Sequence, residues 1–94
     1  MIRSFHAKTT QRFAEGDRVR EWEAFRDQAE KRLRILDAAC STGDLAALNS
    51  NRFEALRGKR KGQFSIRINE RWRICFVWSK DDSGPSKVEI VDYH

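Results

Sequence analysis

With 94 residues and a formal net charge of +5, the chain is long enough for one compact domain, residues 1–94, and too short for two. Hydrophobic residues make up 39% of it and include three Trp and six Phe, which supply the core area that a small domain needs. Residues 1–10 include Arg, His and Lys and contain no continuous apolar run, so we expect neither a signal peptide nor a membrane span. The composition therefore favours a cytoplasmic protein.

The first half of the chain predicts mainly helix. Ile2–Phe5 is expected to be a short edge strand and Lys8–Glu15 a brief helix. An amphipathic helix is predicted for residues 18–41, with Thr42 and Gly43 as its stop. Its apolar positions recur at intervals of three or four with charged residues between them, namely at Val19, Trp22, Phe25, Ala29, Leu33, Leu36 and Cys40.

The second half predicts strands. Asp44–Asn51 is expected to be a linker that Leu45 and Leu48 pin to the core. Alternating apolar and polar residues predict strands at Phe53–Arg57, 64–68, 72–78 and Lys87–Tyr93. The turns between them are predicted at Gly58–Gly62, Asn69–Glu70 and Asp81–Pro85.

The two cysteines, Cys40 and Cys75, fall in a predicted helix and a predicted strand at a spacing that matches no disulfide framework or metal motif. We expect both to be small buried hydrophobic side chains. We accordingly expect no metal and no cofactor, and two thiols of this kind suit a reducing compartment.

Positive charge is concentrated in one segment. Residues 52–73 carry eight Lys or Arg against two Glu, a local excess of +6 that is larger than the net charge of the whole chain. Because this segment runs into the alternating strands, its charges are expected on or beside a β-sheet and not on a disordered tail. A structured cationic surface predicts a polyanionic partner.

Alternation also assigns the strand side chains to two faces. If the apolar residues of strand 72–78 pack on the helix, the intervening residues point to the opposite face, which we call the open face. The polar residues predicted on the open face are Ser65, Arg67, Arg71, Arg73 and Tyr93. Asp92 and His94 alternate with Tyr93 and are therefore expected on the opposite face of the sheet from the open face.

Several segments resemble the HigB toxins of the RelE/ParE superfamily, and the resemblance spans most of the chain. They are Ile2–Phe5, Phe53–Gly58, Phe64–Ile68, Trp72–Phe76 and Asp92–His94. A Leu-basic-Gly loop, a Trp-Arg-Ile strand and an Asp-Tyr-His end occur in order and at the family spacing. The resemblance implies an α+β, RelE-like fold in which an N-terminal strand and helices pack on one face of a mainly antiparallel sheet, leaving an RNA-binding concavity on the other.

The same resemblance implies an activity and partners. It implies a ribosome-dependent endoribonuclease, or mRNA interferase, that cleaves translated mRNA. It also implies a HigA-type helix-turn-helix antitoxin, with operator DNA bound only through that antitoxin. Cleavage of RNA without a metal uses the substrate 2′-hydroxyl as nucleophile, so the protein must supply proton transfer, charge stabilisation and geometry.

The candidates for these tasks follow from the resemblance and from side-chain chemistry. The predicted catalytic residues are Arg73, Tyr93, His94, Arg57, Glu54 and Asp92. Arg73 is expected to clamp the scissile phosphate, and Glu54 and His94 to carry protons. The residues expected to hold flanking phosphates or ribosomal RNA are Lys59, Arg60, Lys61, Arg67 and Arg71. Some HigB toxins have His in place of Glu54 and Lys in place of Arg57, so the sequence leaves the identity of the base open.

Other readings of the same residues stay open at this point. A ParE-like toxin would share the fold but inhibit DNA gyrase, and a plain RNA- or ribosome-binding module would use the same surface without catalysis. Arg73 can also serve as a structural ion-pair partner of Glu54 or Glu89. The antitoxin can dock on the helical face, which is nearly neutral, or cover the basic loop.

Overall fold

The computed structural model describes residues 1–93 of the protein. Its helices are α1 (Lys8–Ala14), α2 (Arg26–Ala38) and α3 (Thr42–Ala47), with short 3₁₀ helices at Arg20–Phe25, Asn49–Asn51 and Gly58–Arg60. Its strands are β1 (Glu54–Ala55), β2 (Gln63–Arg67), β3 (Trp72–Val77) and β4 (Ser86–Asp92), which form an antiparallel sheet in the order β1-β2-β3-β4. The predicted α+β fold is thus confirmed. None of the helices in the described part combines the length and hydropathy that crossing a membrane requires.

The core lies between the helices and one face of the sheet. Most of the inward residues of the strands are fully or nearly fully buried, as the alternation predicts, and Phe64 and Trp72 are partly buried against the same core. The core strand residues are Ile66, Ile74, Phe76, Val88 and Ile90, and the helical residues packed with them include Phe13, Trp22, Phe25, Ala29, Leu33 and Leu36. This cluster places the helices α1, α2 and α3 on one side of the sheet.

The prediction of one continuous helix over residues 18–41 is wrong. Residues 20–25 form a 3₁₀ helix, and the α-helix proper starts at Arg26 and ends at Ala38. In a 3₁₀ helix residues three apart are eclipsed, so Trp22 and Phe25 both point at Trp72. The ring centroids of Trp22 and Phe25 lie 6.4 Å and 5.1 Å from that of Trp72. Aromatic packing against β3 accounts for the tighter winding.

Helix α3 was not predicted, because residues 44–51 were expected to be a linker. Thr42 and Gly43, which were predicted to stop the preceding helix, are the first residues of α3. Ser41 Oγ accepts a hydrogen bond from the Asp44 amide at 3.3 Å, and Asp44 Oδ2 accepts one from the Cys40 amide at 2.9 Å. This reciprocal pattern is close to a capping box, and the spacing Ser41-x-x-Asp44 is the signal from which the helix was predictable.

Replacing Ser41 with Ala is expected to lower the free energy of unfolding by about 1 kcal/mol, because it leaves the Asp44 amide without its acceptor. Urea denaturation measures this change. Ser83→Ala is the matched control, since Ser83 is exposed and makes no side-chain hydrogen bond within residues 1–93. Equal stabilities of the two variants would contradict the assigned cap.

The boundaries of several other elements also differ from the prediction. Leu45 is buried as predicted, but Leu48 is 43% exposed because it follows the end of α3. Ile2–Phe5 forms no full strand and contributes one parallel bridge, Phe5 with Val88. The strand predicted for Phe53–Arg57 is reduced to β1, whose two residues pair with β2, and Leu56 adds one backbone hydrogen bond to the Gln63 carbonyl.

The turn between β2 and β3 is wider than the predicted Asn69–Glu70 pair. It spans residues 68–71, since β2 ends at Arg67 and β3 starts at Trp72. The Asn69 side chain closes it by accepting hydrogen bonds from the amides of Arg71 and Trp72. This side-chain closure substitutes for a two-residue hairpin turn.

Candidate anion-binding site on the open face

Arg73 is held on the open face by contacts from several segments. Its Nη1 donates hydrogen bonds to Ser65 Oγ at 2.9 Å and to the Arg52 carbonyl at 3.3 Å. The Glu54 carboxylate lies 3.7 Å from the same nitrogen, and the Arg73 side chain is only 19% exposed. The guanidinium Cζ lies over the Tyr93 ring, 5.3 Å from its centroid. These contacts orient the guanidinium group before any ligand binds.

Strand pairing explains why these residues meet. Arg73 lies opposite Arg67 of β2 and opposite Val91 of β4. Ser65 of β2 lies opposite Glu54 of β1. Since directly paired residues project to the same face, four strands contribute side chains to one surface. The face that alternation assigned to Arg73 and Ser65 is the face observed.

The Arg52 carbonyl is part of the site through an uncommon backbone conformation. Arg52 has φ 47° and ψ 45°, the left-handed region that residues other than Gly, Asn and Asp seldom adopt. The preceding Asn51 is fully buried. Its amide nitrogen donates to the Leu45 carbonyl, and its oxygen accepts from Arg32. This anchored asparagine holds the neighbouring backbone in place, and no sequence signal pointed to the contribution of Arg52.

One edge of the Arg73 guanidinium remains available. Within residues 1–93, Nε and Nη2 of Arg73 make no hydrogen bond, because all the polar contacts of the group involve Nη1. A guanidinium with a free edge can bind two oxygens of one phosphate in a bidentate manner. The site therefore has an oriented cation with unused donors on a surface that is otherwise strongly basic.

Further basic residues predicted to take part in catalysis or in RNA binding lie in the loop between β1 and β2 and in β2 itself. Arg57, Lys59 and Lys61 are exposed, and in the described part of the chain they make no ion pair or side-chain hydrogen bond. Arg57 precedes the 3₁₀ turn of the loop and does not lie in a strand, because β1 ends at Ala55. Arg67 is half-buried in β2. The loop thus presents freely solvated charges at the edge of the open face.

Arg60, which was predicted to hold an RNA phosphate, differs from the other basic residues of the loop because its charge is paired. Its Nη1 donates hydrogen bonds to Gln63 Oε1 and Glu89 Oε1, both at 3.0 Å, which draws the side chain back over the sheet. The side chain is 35% exposed. The hydrogen bond with Glu89 raises the pKa of Arg60 above its ordinary value, so the group stays charged. A partner 29 positions away in the chain could not be assigned from sequence.

Asp92 and Arg71 are paired with each other. Arg71 Nε donates to both carboxylate oxygens of Asp92 at 2.9 Å, and its Nη2 lies 2.7 Å from Oδ2. These hydrogen bonds raise the pKa of Arg71. Asp92, which was predicted to be catalytic, and Arg71, which was predicted to contact RNA, thus form an ion pair where β3 begins and β4 ends. His94, the remaining predicted catalytic residue, lies outside the described residues.

The two cysteines differ in environment. Cys75 is fully buried on the open-face side of β3, opposite Ser65 and Glu89. Burial raises the pKa of its thiol to about 11. Cys40 is exposed, so the prediction that it is buried is wrong. The reason is local: α2 ends at Ala38, and Ala39 is extended, so Cys40 leaves the buried stripe of the helix.

In the native protein at pH 8, we expect a thiol reagent such as Ellman's reagent to label Cys40 rapidly and Cys75 only after unfolding. At that pH a thiol with the pKa of Cys75 is ionised in roughly one molecule in a thousand, and the sulfur is also inaccessible. The absorbance of the thiolate that the reagent releases measures both rates. Two equally fast thiols would show that β3 opens readily.

Comparison with known proteins identifies the class of protein to which the chain belongs. Residues 3–94 match the family model of HigB-like toxins, described as RelE-like toxins of type II toxin–antitoxin systems. The chain therefore belongs to the HigB-like toxin family. It is also 48% identical over 48 residues to Toxin HigB-1 of Vibrio cholerae serotype O1. That match covers 51% of this chain and 50% of the relative, so the chain spans about half the length of the curated relative it matches.

Proposed function

We propose that this protein is a ribosome-dependent mRNA endoribonuclease that inhibits translation, with Arg73 as the residue that binds the scissile phosphate. Membership of a RelE-like toxin family supports the class of activity. The observation that carries the proposal is the anchored Arg73 guanidinium, whose Nε and Nη2 are unused within residues 1–93. This group can stabilise the charge that develops on a phosphate without first having to be ordered.

The reaction requires no group outside the RNA as nucleophile. The 2′-oxygen of the nucleotide attacks the adjacent phosphorus while the bond from phosphorus to the 5′-oxygen breaks. The proton of the 2′-hydroxyl passes to a base, and the departing 5′-oxygen gains a proton from an acid. The products are a 2′,3′-cyclic phosphate and a 5′-hydroxyl end. Arg73 binds the nonbridging oxygens, on which negative charge accumulates.

Glu54 and His94 are the candidates for base and acid. Glu54 is half-exposed and lies 3.7 Å from Nη1 of Arg73. When Arg73 binds the scissile phosphate, the 2′-hydroxyl of the adjacent ribose would therefore lie near this carboxylate. In this proposal, contacts with the ribosome complete the geometry. The free lysines of the loop, Lys59 and Lys61, are positioned to hold ribosomal or messenger RNA phosphates.

Mapping of 5′ ends on translated mRNAs after induction of the protein in a bacterial host tests the proposal. We expect new ends within coding regions that appear only on messages under translation. Growth arrest without new ends would contradict the nuclease activity and would favour inhibition of gyrase or a block of the ribosome without cleavage. A supercoiling assay with purified gyrase separates these two outcomes.

Tyr93 is expected to act through its ring, because that ring supports the Arg73 guanidinium. Tyr93→Phe retains the ring and should cleave mRNA within about threefold of the wild-type rate, whereas Tyr93→Ala should be slower by roughly tenfold, in the range of one cation–π contact. Single-turnover cleavage with excess toxin and ribosomes measures both. Equal loss in the two variants would instead assign proton transfer to the hydroxyl.

A protein antitoxin is the expected partner of a type II toxin, and we propose that it is of the HigA helix-turn-helix type. In this proposal operator DNA is bound only through the antitoxin, and the pair acts in the cytoplasm. Two docking modes remain, on the helical face or over the basic loop. Acetylation of Lys59 and Lys61 in the purified complex distinguishes them, because protection of these exposed amines requires the second mode.

A further inference from the structure

Arg60 and Glu89 reproduce on the open face the arrangement seen at Arg73. In both cases Nη1 is anchored by a neutral side-chain oxygen and by a carboxylate: Ser65 and Glu54 for Arg73, and Gln63 and Glu89 for Arg60. In both cases Nε and Nη2 make no hydrogen bond within residues 1–93. The open face thus carries two oriented guanidinium groups, each with a free edge.

The two arginines lie at neighbouring positions along the same surface. Arg60 reaches Glu89, which pairs with Cys75 in β3, and Cys75 lies two residues beyond Arg73 on the same face. Two residues along a strand correspond to about 6.6 Å. Charge interactions of the Cys75 thiol with both Arg60 and Arg73 are consistent with this placement. The residue that anchors Arg60 is thus one same-face strand position away from Arg73, and this backbone spacing is of the order of that between successive phosphates of an extended RNA strand.

We propose that Arg60 is a second phosphate clamp, which binds the phosphate adjacent to the scissile one, and that Glu89 is the positioning residue that holds Arg60 over the sheet. The inference rests on the proposed function and adds a defined contact to the substrate. Glu89 does not cancel the attraction, because the segment of residues 52–73 has an excess of +6, which stays strongly positive when one carboxylate is set against it.

The contribution of Glu89 is geometric. Its side chain is 18% exposed in the ion pair with Arg60, and its second oxygen lies 3.9 Å from Nε2 of His6. An unanchored arginine in a loop would lose rotational freedom on binding RNA, which opposes binding. Ordering the side chain in advance removes part of that cost.

A double-mutant cycle between protein and RNA tests the proposal. Wild-type and Arg60→Ala proteins are assayed with ribosomes on mRNAs that carry a neutral methylphosphonate at the phosphate on either side of the cleavage site. The nucleotide on the 5′ side of the neutral linkage has a 2′-deoxyribose, and the nucleotide at the cleavage site keeps its 2′-hydroxyl. An mRNA with the same 2′-deoxyribose and an ordinary phosphate is the matched control. On the control, Arg60→Ala should slow single-turnover cleavage by roughly ten- to a hundredfold, as expected for a hydrogen bond to a charged group.

With the neutral linkage at one of the two positions, wild type and Arg60→Ala should cleave within about threefold of each other, since the contact is then already absent. An equal effect of Arg60→Ala on all substrates would overturn the inference, because it would place the role of Arg60 elsewhere. Absence of cleavage by the wild-type protein on the unmodified mRNA would instead overturn the proposed function itself.

Variants of Glu89 and a control on the helical layer complete the test. Glu89→Ala should weaken the coupling between Arg60 and the adjacent phosphate, and Glu89→Gln should restore it, because an amide oxygen can still accept from Nη1. Arg26→Ala is the matched control, since Arg26 pairs with Glu30 at 3.4 Å with side chains 32% and 33% exposed. This variant should leave cleavage unchanged. A failure of Glu89→Gln to restore the coupling would contradict the positioning role.

Discussion

Replacement of Arg73 with Ala is expected to reduce ribosome-dependent mRNA cleavage by about a hundred- to a thousandfold, the range found when one preorganised donor to a transition-state charge is removed. The reason is the arrangement of the side chain. Its Nη1 is anchored at Ser65 and Arg52, and its Nε and Nη2 make no hydrogen bond within residues 1–93. Single-turnover kinetics with excess ribosomes measures the chemical step without a contribution from product release.

Arg73→Lys is the informative companion to this variant. A lysine keeps the positive charge but cannot bond Ser65 while presenting a bidentate edge to phosphate. We expect intermediate activity, well below wild type. Circular dichroism and a urea titration of each variant verify that the protein is folded. Cleavage by folded Arg73→Ala at the wild-type rate would remove Arg73 from the catalytic site and would support its reading as a structural ion-pair partner of Glu54.

Replacement of Phe76 with Ala is expected to lower the free energy of unfolding by about 3–5 kcal/mol, a loss comparable with much of the stability of a small domain. Phe76 is fully buried in the central strand β3, and its ring centroid lies 6.2 Å from that of Phe64. Truncation leaves a cavity that the flanking strands cannot close. Urea denaturation followed by tryptophan fluorescence measures the change.

Leu48→Ala is the control for this measurement, because Leu48 is 43% exposed and its truncation should alter stability by no more than about 0.5 kcal/mol. A Phe76→Ala variant within about 1 kcal/mol of wild type would show that the core between sheet and helices is packed loosely.

The strand half of the fold was predictable from sequence because alternation is a local signal that burial on one face enforces. The inward positions of Ile74 and Phe76 and the outward position of Arg73 follow from period two alone. The helical half was less predictable. The 3₁₀ winding at Trp22 and Phe25 depends on Trp72, which lies far away in sequence, and a local pattern contains no information about such a partner.

The candidate site shows the same division. Sequence placed Arg73, Ser65 and Tyr93 on one face, but the contacts that orient them are long-range. The left-handed backbone at Arg52 depends on the burial of Asn51, and the position of Arg60 depends on Glu89. The ion pair of Arg71 with Asp92 is likewise a contact between two strands that local patterns do not specify. Local patterns therefore identify which groups are available, and tertiary contacts determine how each is used.

Cleavage of mRNA on the ribosome through the substrate 2′-hydroxyl, as proposed for this protein, can be tested by a time course with purified protein and a defined translation complex. Three reactions are compared: an all-ribose mRNA with ribosomes, the same mRNA without ribosomes, and an mRNA with a single 2′-deoxyribose at the mapped site. We predict cleavage only in the first, with a 2′,3′-cyclic phosphate and a 5′-hydroxyl at the new ends. Intact all-ribose mRNA on ribosomes, or equal cleavage of the 2′-deoxy substrate, would contradict the account.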